Sequence, residues 1–192
     1  MSIATLPEPK AAASMSVVNG DALYEIVNGE RVELPPMSVY SVRLGTRITS
    51  RLDSFSEQHG FGTVVGEALF ILDPETDLRR RPDVAFVSKD RWALDKPIPE
   101  TGDWLVVPDL AVEVISPNDT IDDFLEKLEE YFKYGVRQVW VVVPRRREVR
   151  VYTSPSQYRT LTIDQELEGG DVIPGFRLHL AELFNQPVAA KM

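Results

Sequence analysis

The 192-residue chain has no cysteine, only two histidines, and fewer basic than acidic side chains, 21 against 30. Without cysteine there is no disulfide, no thiolate metal site and no thiol nucleophile, and a reducing setting, the cytoplasm, is the expected one. The scarcity of histidine, with no thiol beside it, leaves little for zinc. A formal net charge of -9 excludes a passive nucleic-acid coat, which needs a broad basic surface to release phosphate counterions. It leaves room for an enzyme in which bound divalent ions supply the positive charge. No apolar run approaches the ~20 residues of a membrane helix, and Met1 to Ser16 lacks the basic start and apolar centre of a secretory signal, so no membrane is expected. GxSxG, GxxxxGK[ST] and GxGxxG are also missing, so acyl-transfer triads, nucleotide triphosphatases and dinucleotide enzymes lack their parts. His59 falls in the last turn of an expected helix, where a cation suits the dipole, and His179 alternates with Leu178 and Leu180; neither has a nucleophile near it.

What is present suffices for one domain. With 43% hydrophobic residues and no shift in composition, the chain is expected to fold as a single unit over residues 17–187, behind a weakly ordered lead over 1–16. Leu23 to Val27 and Arg31 to Leu34 flank Asn28-Gly29, a two-residue hairpin signal, and Pro35-Pro36 ends the second strand. Ser38 to His59 has helical spacing, with Val42, Ile48, Leu52 and Phe55 among its apolar positions and Gly60 as its stop. Thr63 to Leu72 is expected as a strand interrupted at Gly66. The connection from Lys89 to Val107, with Trp92 and Trp104, is long enough to be functional, or the tryptophans only anchor it. Gln138 to Val143 has the continuous apolar character of a buried strand, Glu148 to Thr153 returns beside it, Tyr158 to Ile163 makes an edge, and Asp171 to Leu180 a closing strand broken by Pro174-Gly175. The expected architecture is α/β, a central mixed β-sheet with core strands near 64–72, 81–87, 109–115 and 138–143, flanked by helices over 38–59 and 120–134, with an N-terminal β-hairpin. The Leu110–Val143 unit should be a parallel crossover.

Three ionisable residues stand in apolar surroundings. Asp83 follows Pro82 at the mouth of a strand, and Glu113 lies inside Leu110-Ala111-Val112-Glu113-Val114-Ile115, where an unpaired carboxylate is costly. Lys127 follows on a helix whose stripe, Ile121, Phe124, Leu125, Leu128 and Phe132, puts Lys127, Tyr131 and Tyr134 along one border. From there the amine can reach the sheet's mouth. Each has an ordinary explanation taken singly: turn former, structural ion pair, snorkelling side chain. Their convergence is the specific expectation, tested by an ammonium within about 5 Å of both carboxylates. Glu67, among apolar neighbours, is a further acid that could share a metal with them. Arg81, last of Arg79-Arg80-Arg81, adjoins Asp83 and is a candidate phosphate contact; Arg145 to Arg147 are expected as a solvated turn.

The order PDVAFV, PDLAVEVISP, EKLEEY, then YGVRQVWVVVP and VRVY, with YEIVNGERVELPP upstream and GGDVIPGFRLHLAELF downstream, resembles the Uma-type restriction endonuclease family, a branch of the PD-(D/E)xK nuclease superfamily. The resemblance covers nearly all of residues 23–185. It implies a restriction endonuclease-like fold and a metal-dependent endonuclease acting on DNA. Asp83, Glu113 and the Val114 carbonyl would hold Mg2+, or Mn2+, and Lys127 would orient the attacking water or steady developing charge. The superfamily's lysine stands two residues after the strand acid, where this chain has Ile115, so the resemblance implies that Lys127 has taken over from the helix. It also makes Glu30 a candidate site acid. A homodimer is expected because a two-fold pair suits cleavage of two strands. The rival is a binding or assembly module that keeps the fold without turnover.

Overall fold

The computed structural model describes residues 22–116 and 119–185, so the expected lead over 1–16 and both ends of the 17–187 unit lie outside the described residues. Two strands, β1 (Tyr24–Val27) and β2 (Glu30–Glu33), form the hairpin, closed at Asn28 and Gly29, which both adopt positive φ. Helix α1 (Val39–His59) starts where Ser38 Oγ accepts the Ser41 N–H at 3.0 Å and stops at Gly60, whose φ of 61° is the left-handed turn glycine allows. Its buried stripe is Ser41, Leu44, Gly45, Ile48, Leu52 and Ser56; Val42, expected inside, is exposed at the border of that stripe.

The stretch expected as one strand over 63–72 is two, in different sheets. β3 (Gly62–Gly66) pairs with β6 (Val84–Ser88), and β4 (Phe70–Asp73) pairs with β5 (Leu78–Arg80). The chain leaves the first sheet at Gly66 and Glu67, where Glu67 has a φ of 51° and its N–H donates to the Asp83 carbonyl at 3.2 Å. Then come β7 (Leu110–Val114), α2 (Ile121–Lys133), β8 (Gln138–Val143), β9 (Glu148–Ser154), β10 (Gln157–Leu161), β11 (Glu166–Glu168), β12 (Arg177–His179) and the short α3 (Leu180–Leu183). The expected closing strand over 171–180 is only β12, paired with β11 in a separate ribbon.

The six-stranded sheet has the order β10-β9-β8-β7-β6-β3, with β7 and β8 parallel and every other pairing antiparallel. A four-stranded sheet, β2-β1-β5-β4, lies apart from it. Alternation along β7 sends Leu110, Val112 and Val114 into the core with Leu44, Ile48 and Leu52 of α1, and Ala111 into the core with Leu128 and Tyr131 of α2. Glu113 therefore points towards α2. Trp104 is buried against Phe70 and Trp92, and its backbone extends the pairing of β4, so the long connection is anchored by its tryptophans. Among the described residues no helix is long and apolar enough to cross a membrane.

Candidate functional site

The buried face of α2 is not the stripe its apolar residues suggest. Leu128 and Tyr131 are buried and Lys127 nearly so, whereas Ile121 is 73% and Leu125 45% exposed. The helix is turned towards Lys127 and Tyr131 because both answer a carboxylate on the sheet. Tyr131 Oη donates to Glu113 Oε1 at 2.7 Å, and Lys127 Nζ lies 3.0 Å from Glu113. Thr120 caps the helix start, its Oγ1 accepting the Asp123 N–H, and Gly135, with a φ of 99°, turns the chain out at its end.

Asp83 sits just before β6, beside Glu113, since Val84 stands opposite Val112 in the antiparallel pair. Its Oδ2 accepts the Val114 N–H at 2.5 Å. The N–H and C=O of one strand residue point the same way, so the Val114 carbonyl faces Asp83's side, past the point where β6 and β7 pair. Asp83, Glu113 and Val114 thus bring oxygen donors to one end of two neighbouring strands. Ile115 bonds β8 through its N–H and packs with the α2-side core, and the amine beside Glu113 is that of Lys127.

The lysine's second carboxylate is Glu25 on β1, at 2.9 Å, and not Asp83, which feels Lys127 only through its field. Glu25 is buried. It also takes Arg80 Nη1 at 2.8 Å and the Arg81 N–H at 2.7 Å, while Arg80 Nε reaches Glu130 of α2 at 2.5 Å. One network therefore ties β1, β5, α2 and β7 together. Sequence reasoning passed over Glu25 because it sits in a hairpin strand with three half-exposed neighbours. The signal was alternation, which sets it on the face opposite Tyr24 and Ile26. Replacing Glu25 with Gln removes a charge from between two buried cations, and we expect a loss of about 2 kcal/mol, read as a lower urea midpoint at unchanged m-value.

Burial dominates the titration of the two site acids. It raises Asp83 to about 6, against the Val114 N–H and Lys127, with Glu67 and Asp119 adding repulsion. It raises Glu113 to about 7 even though Lys127 opposes it, because Asp83 and Glu25 push the same way as burial. For Glu25 burial is outweighed by Lys127, Arg80 and the Arg81 N–H, so its carboxyl is held below the usual range. Burial likewise loses at Lys127, which Glu113 and Glu25 keep protonated. Two cations, Lys127 and Arg80, face four carboxylates, Glu25, Glu113, Glu130 and Asp83. The surplus is negative.

The other expected residues are placed as follows. Glu67 is exposed, at the turn out of β3, close enough to raise Asp83. Glu30 is exposed at the hairpin turn, its backbone paired with Val27. The run Arg79 to Arg81 is not a free basic cluster: Arg79 pairs with Asp77 and Asp103, Arg80 is buried, and Arg81 donates to the carbonyls of Tyr24 and Glu67. Arg145 to Arg147 are an exposed turn. His59 stacks on Phe55, and His179 caps α3 through Nδ1. Asp119, not anticipated, accepts the Ser116 N–H just after β7 and adds negative field at the mouth.

Among the described residues no three acidic or histidine side chains converge closely enough to hold an ion by themselves. The oxygens brought to this end of the strands are those of two carboxylates and a main-chain carbonyl, all hard donors. Mg2+ is commonly held in this way by one or two carboxylates. The charge of Asp83 raises Glu113, a repulsion that a divalent cation between them would relieve, so the residues present fit one.

Residues 12–181 match the model of the Uma2 family, described as "Putative restriction endonuclease". A crystal structure of a "putative nuclease" from Anabaena variabilis superposes with a TM-score of 0.71 at 18% identity, over 84% of this chain and 89% of that one, a likeness of fold. No curated protein matches.

Proposed function

Because the chain belongs to the Uma2 family, we propose that it is a metal-dependent endonuclease that hydrolyses phosphodiester bonds in DNA at the Asp83–Glu113–Lys127 centre. The observation that carries this reading is the surplus negative charge at one largely buried point, where two strand-end acids lie side by side with an amine held on one of them. Asp83, Glu113 and the Val114 carbonyl would hold Mg2+ or Mn2+. Held by these residues, such an ion would supply Lewis acidity to a bound water and positive charge beside the phosphate.

The chain's own groups do the rest. Tyr131 fixes the rotamer of Glu113 by its 2.7 Å hydrogen bond, and the Val114 N–H fixes Asp83. Lys127, protonated, orients water or faces the charge that develops on the phosphate. Arg81 donates Nε and Nη1 to carbonyls and would turn Nη2 to a phosphate oxygen. Glu67 is a further acid at the mouth, its charge felt by Asp83, and Glu30 is left with a solvated role. A cytoplasmic homodimer suits cleavage of both strands of a duplex.

The test is cleavage of single-stranded, duplex and branched DNA and of RNA with Mg2+ or Mn2+, with Asp83→Ala alongside. Wild type is expected to cut DNA, and Asp83→Ala to lose at least ~10²-fold in rate, as when a group that positions charge in a transition state is removed. Equal activity in the variant would place the chemistry elsewhere. No cleavage of any substrate would leave a binding module on a nuclease fold.

A further inference from the structure

The row of the sheet that carries the centre continues past it. Glu113 stands opposite Val141, Val141 opposite Arg150, and Arg150 opposite Thr160. Neighbouring strands lie about 4.8 Å apart, which puts the Arg150 main chain roughly 10 Å from that of Glu113. Val149 and Val151 belong to the α1-side core and Tyr152 to the α2-side core, so Arg150 shares the face of Glu113. In the adjacent row Tyr152 stands opposite Tyr158, and their rings stack with centroids 4.7 Å apart. Tyr158 lies on β10, the sheet's edge strand, and is 54% exposed.

Arg150 differs from the other buried or half-buried cations among the described residues. Arg79, Arg80, Arg91 and Lys127 pair with carboxylates, and Arg47 and Arg81 donate to main-chain carbonyls. Arg150 does neither. Its Nε is buried with no acceptor, and its guanidinium lies 5.6 Å from the Tyr158 ring centroid. The Nε has no accessible surface, so an incoming anion would meet the terminal nitrogens of this half-buried side chain, which hold no acceptor among the described residues. In a chain of net charge -9, an arginine that no acid has claimed is a selective place for an anion.

We infer that Arg150 and Tyr158 form a subsite for an unpaired DNA strand, the guanidinium taking a backbone phosphate and the exposed ring a base. A base offers its face to an aromatic side chain only where the strand is unpaired, and an arginine beside a tyrosine supplies both contacts such a strand needs. The subsite rests on the nuclease reading and says how its substrate is held beside the cleavage centre.

Binding of a labelled single-stranded oligonucleotide, followed by fluorescence anisotropy in EDTA over a salt series, tests it. Arg150→Gln should lower the slope of log K against log salt by about 0.7, the share of one phosphate contact on a single strand, and Arg150→Lys should restore it. Tyr158→Ala should weaken binding about tenfold with the slope unchanged, while Tyr158→Phe keeps the ring and the affinity. A purely structural role would not change the salt slope, and the Lys and Phe variants keep the test open if Gln or Ala impairs folding. Wild type that binds the strand while Arg150→Gln and Tyr158→Ala match it overturns the subsite and leaves the nuclease reading standing. So does a wild type that cuts duplex DNA but does not bind the single strand. A wild type that neither binds nor cuts any DNA overturns both.

Discussion

Lys127→Met is expected to reduce cleavage by about 10²–10⁴-fold while leaving a divalent ion bound. The amine lies 3.0 Å from Glu113 and 2.9 Å from Glu25, and its removal affects the two acids differently. Glu25 keeps Arg80 and the Arg81 N–H; Glu113 keeps only Tyr131. Breaking one side of a buried pair costs about 3–5 kcal/mol, so the metal-free variant should melt well below wild type. Part of that loss is regained when Glu113 takes up a proton. An added Mn2+ replaces the missing positive charge, and should therefore raise the melting temperature of Lys127→Met more than that of wild type. Calorimetry at a pH where Glu113 is ionised gives the metal affinity, and single-turnover cleavage gives the chemical step. Cleavage at the wild-type rate would make Lys127 a structural cation; loss of metal binding would make it part of the scaffold for the ligands.

The parts of this centre that were legible in the sequence are those written in local pattern. An apolar run marks Glu113 as buried, a proline before a β-branched run puts Asp83 at a strand mouth, and helical spacing carries Lys127 to the same end. Glu25 was not legible because its partners are remote: Arg80 stands 55 residues away and belongs to a three-residue strand too short for any periodicity. For the same reason Arg79 to Arg81 looked like a free basic cluster until Asp103, Glu25 and Glu130 were brought against it. The face of α2 was misjudged on hydrophobicity alone. Ile121 and Leu125 gave way because Lys127 and Tyr131 satisfy a carboxylate that would otherwise be buried unpaired, and that outweighs the burial of two apolar side chains. The split of 63–72 turned on a positive φ at Glu67, a conformation residue type does not announce outside glycine.

Glu113→Gln should abolish metal binding and cleavage and yet, in EDTA near pH 8, melt at or above the wild-type temperature. Burial raises Glu113 from 4.5 to about 7, so the folded state holds a proton there that the unfolded state has already released. The stability tied to that proton is complete below pH 4.5 and is lost as pH rises to about 7, an amount of ~3 kcal/mol at 1.36 kcal/mol per pKa unit. Asp83, raised from 3.8 to about 6, acts in the same direction over the lower part of the same window. Glu25, held low, acts oppositely but below pH 4.5, and Lys127, held high, is protonated throughout, so neither cancels the trend. Metal-free wild type should therefore lose stability between pH 4.5 and 7, and Glu113→Gln should lose much less of it. Ion binding follows the mirror image, because it needs the ionised carboxylates: Mn2+ should raise the melting temperature near pH 8 and have little effect near pH 5. Melts of both proteins across that range, with EDTA and with Mn2+, decide the matter. A Glu113→Gln variant several kcal/mol less stable than wild type at pH 8 would mean that the Lys127 pair is worth more than the burial of Glu113 costs. Glu113 would then be an ionised, satisfied partner of Lys127 without a metal, and relief of its burial would no longer favour a bound cation.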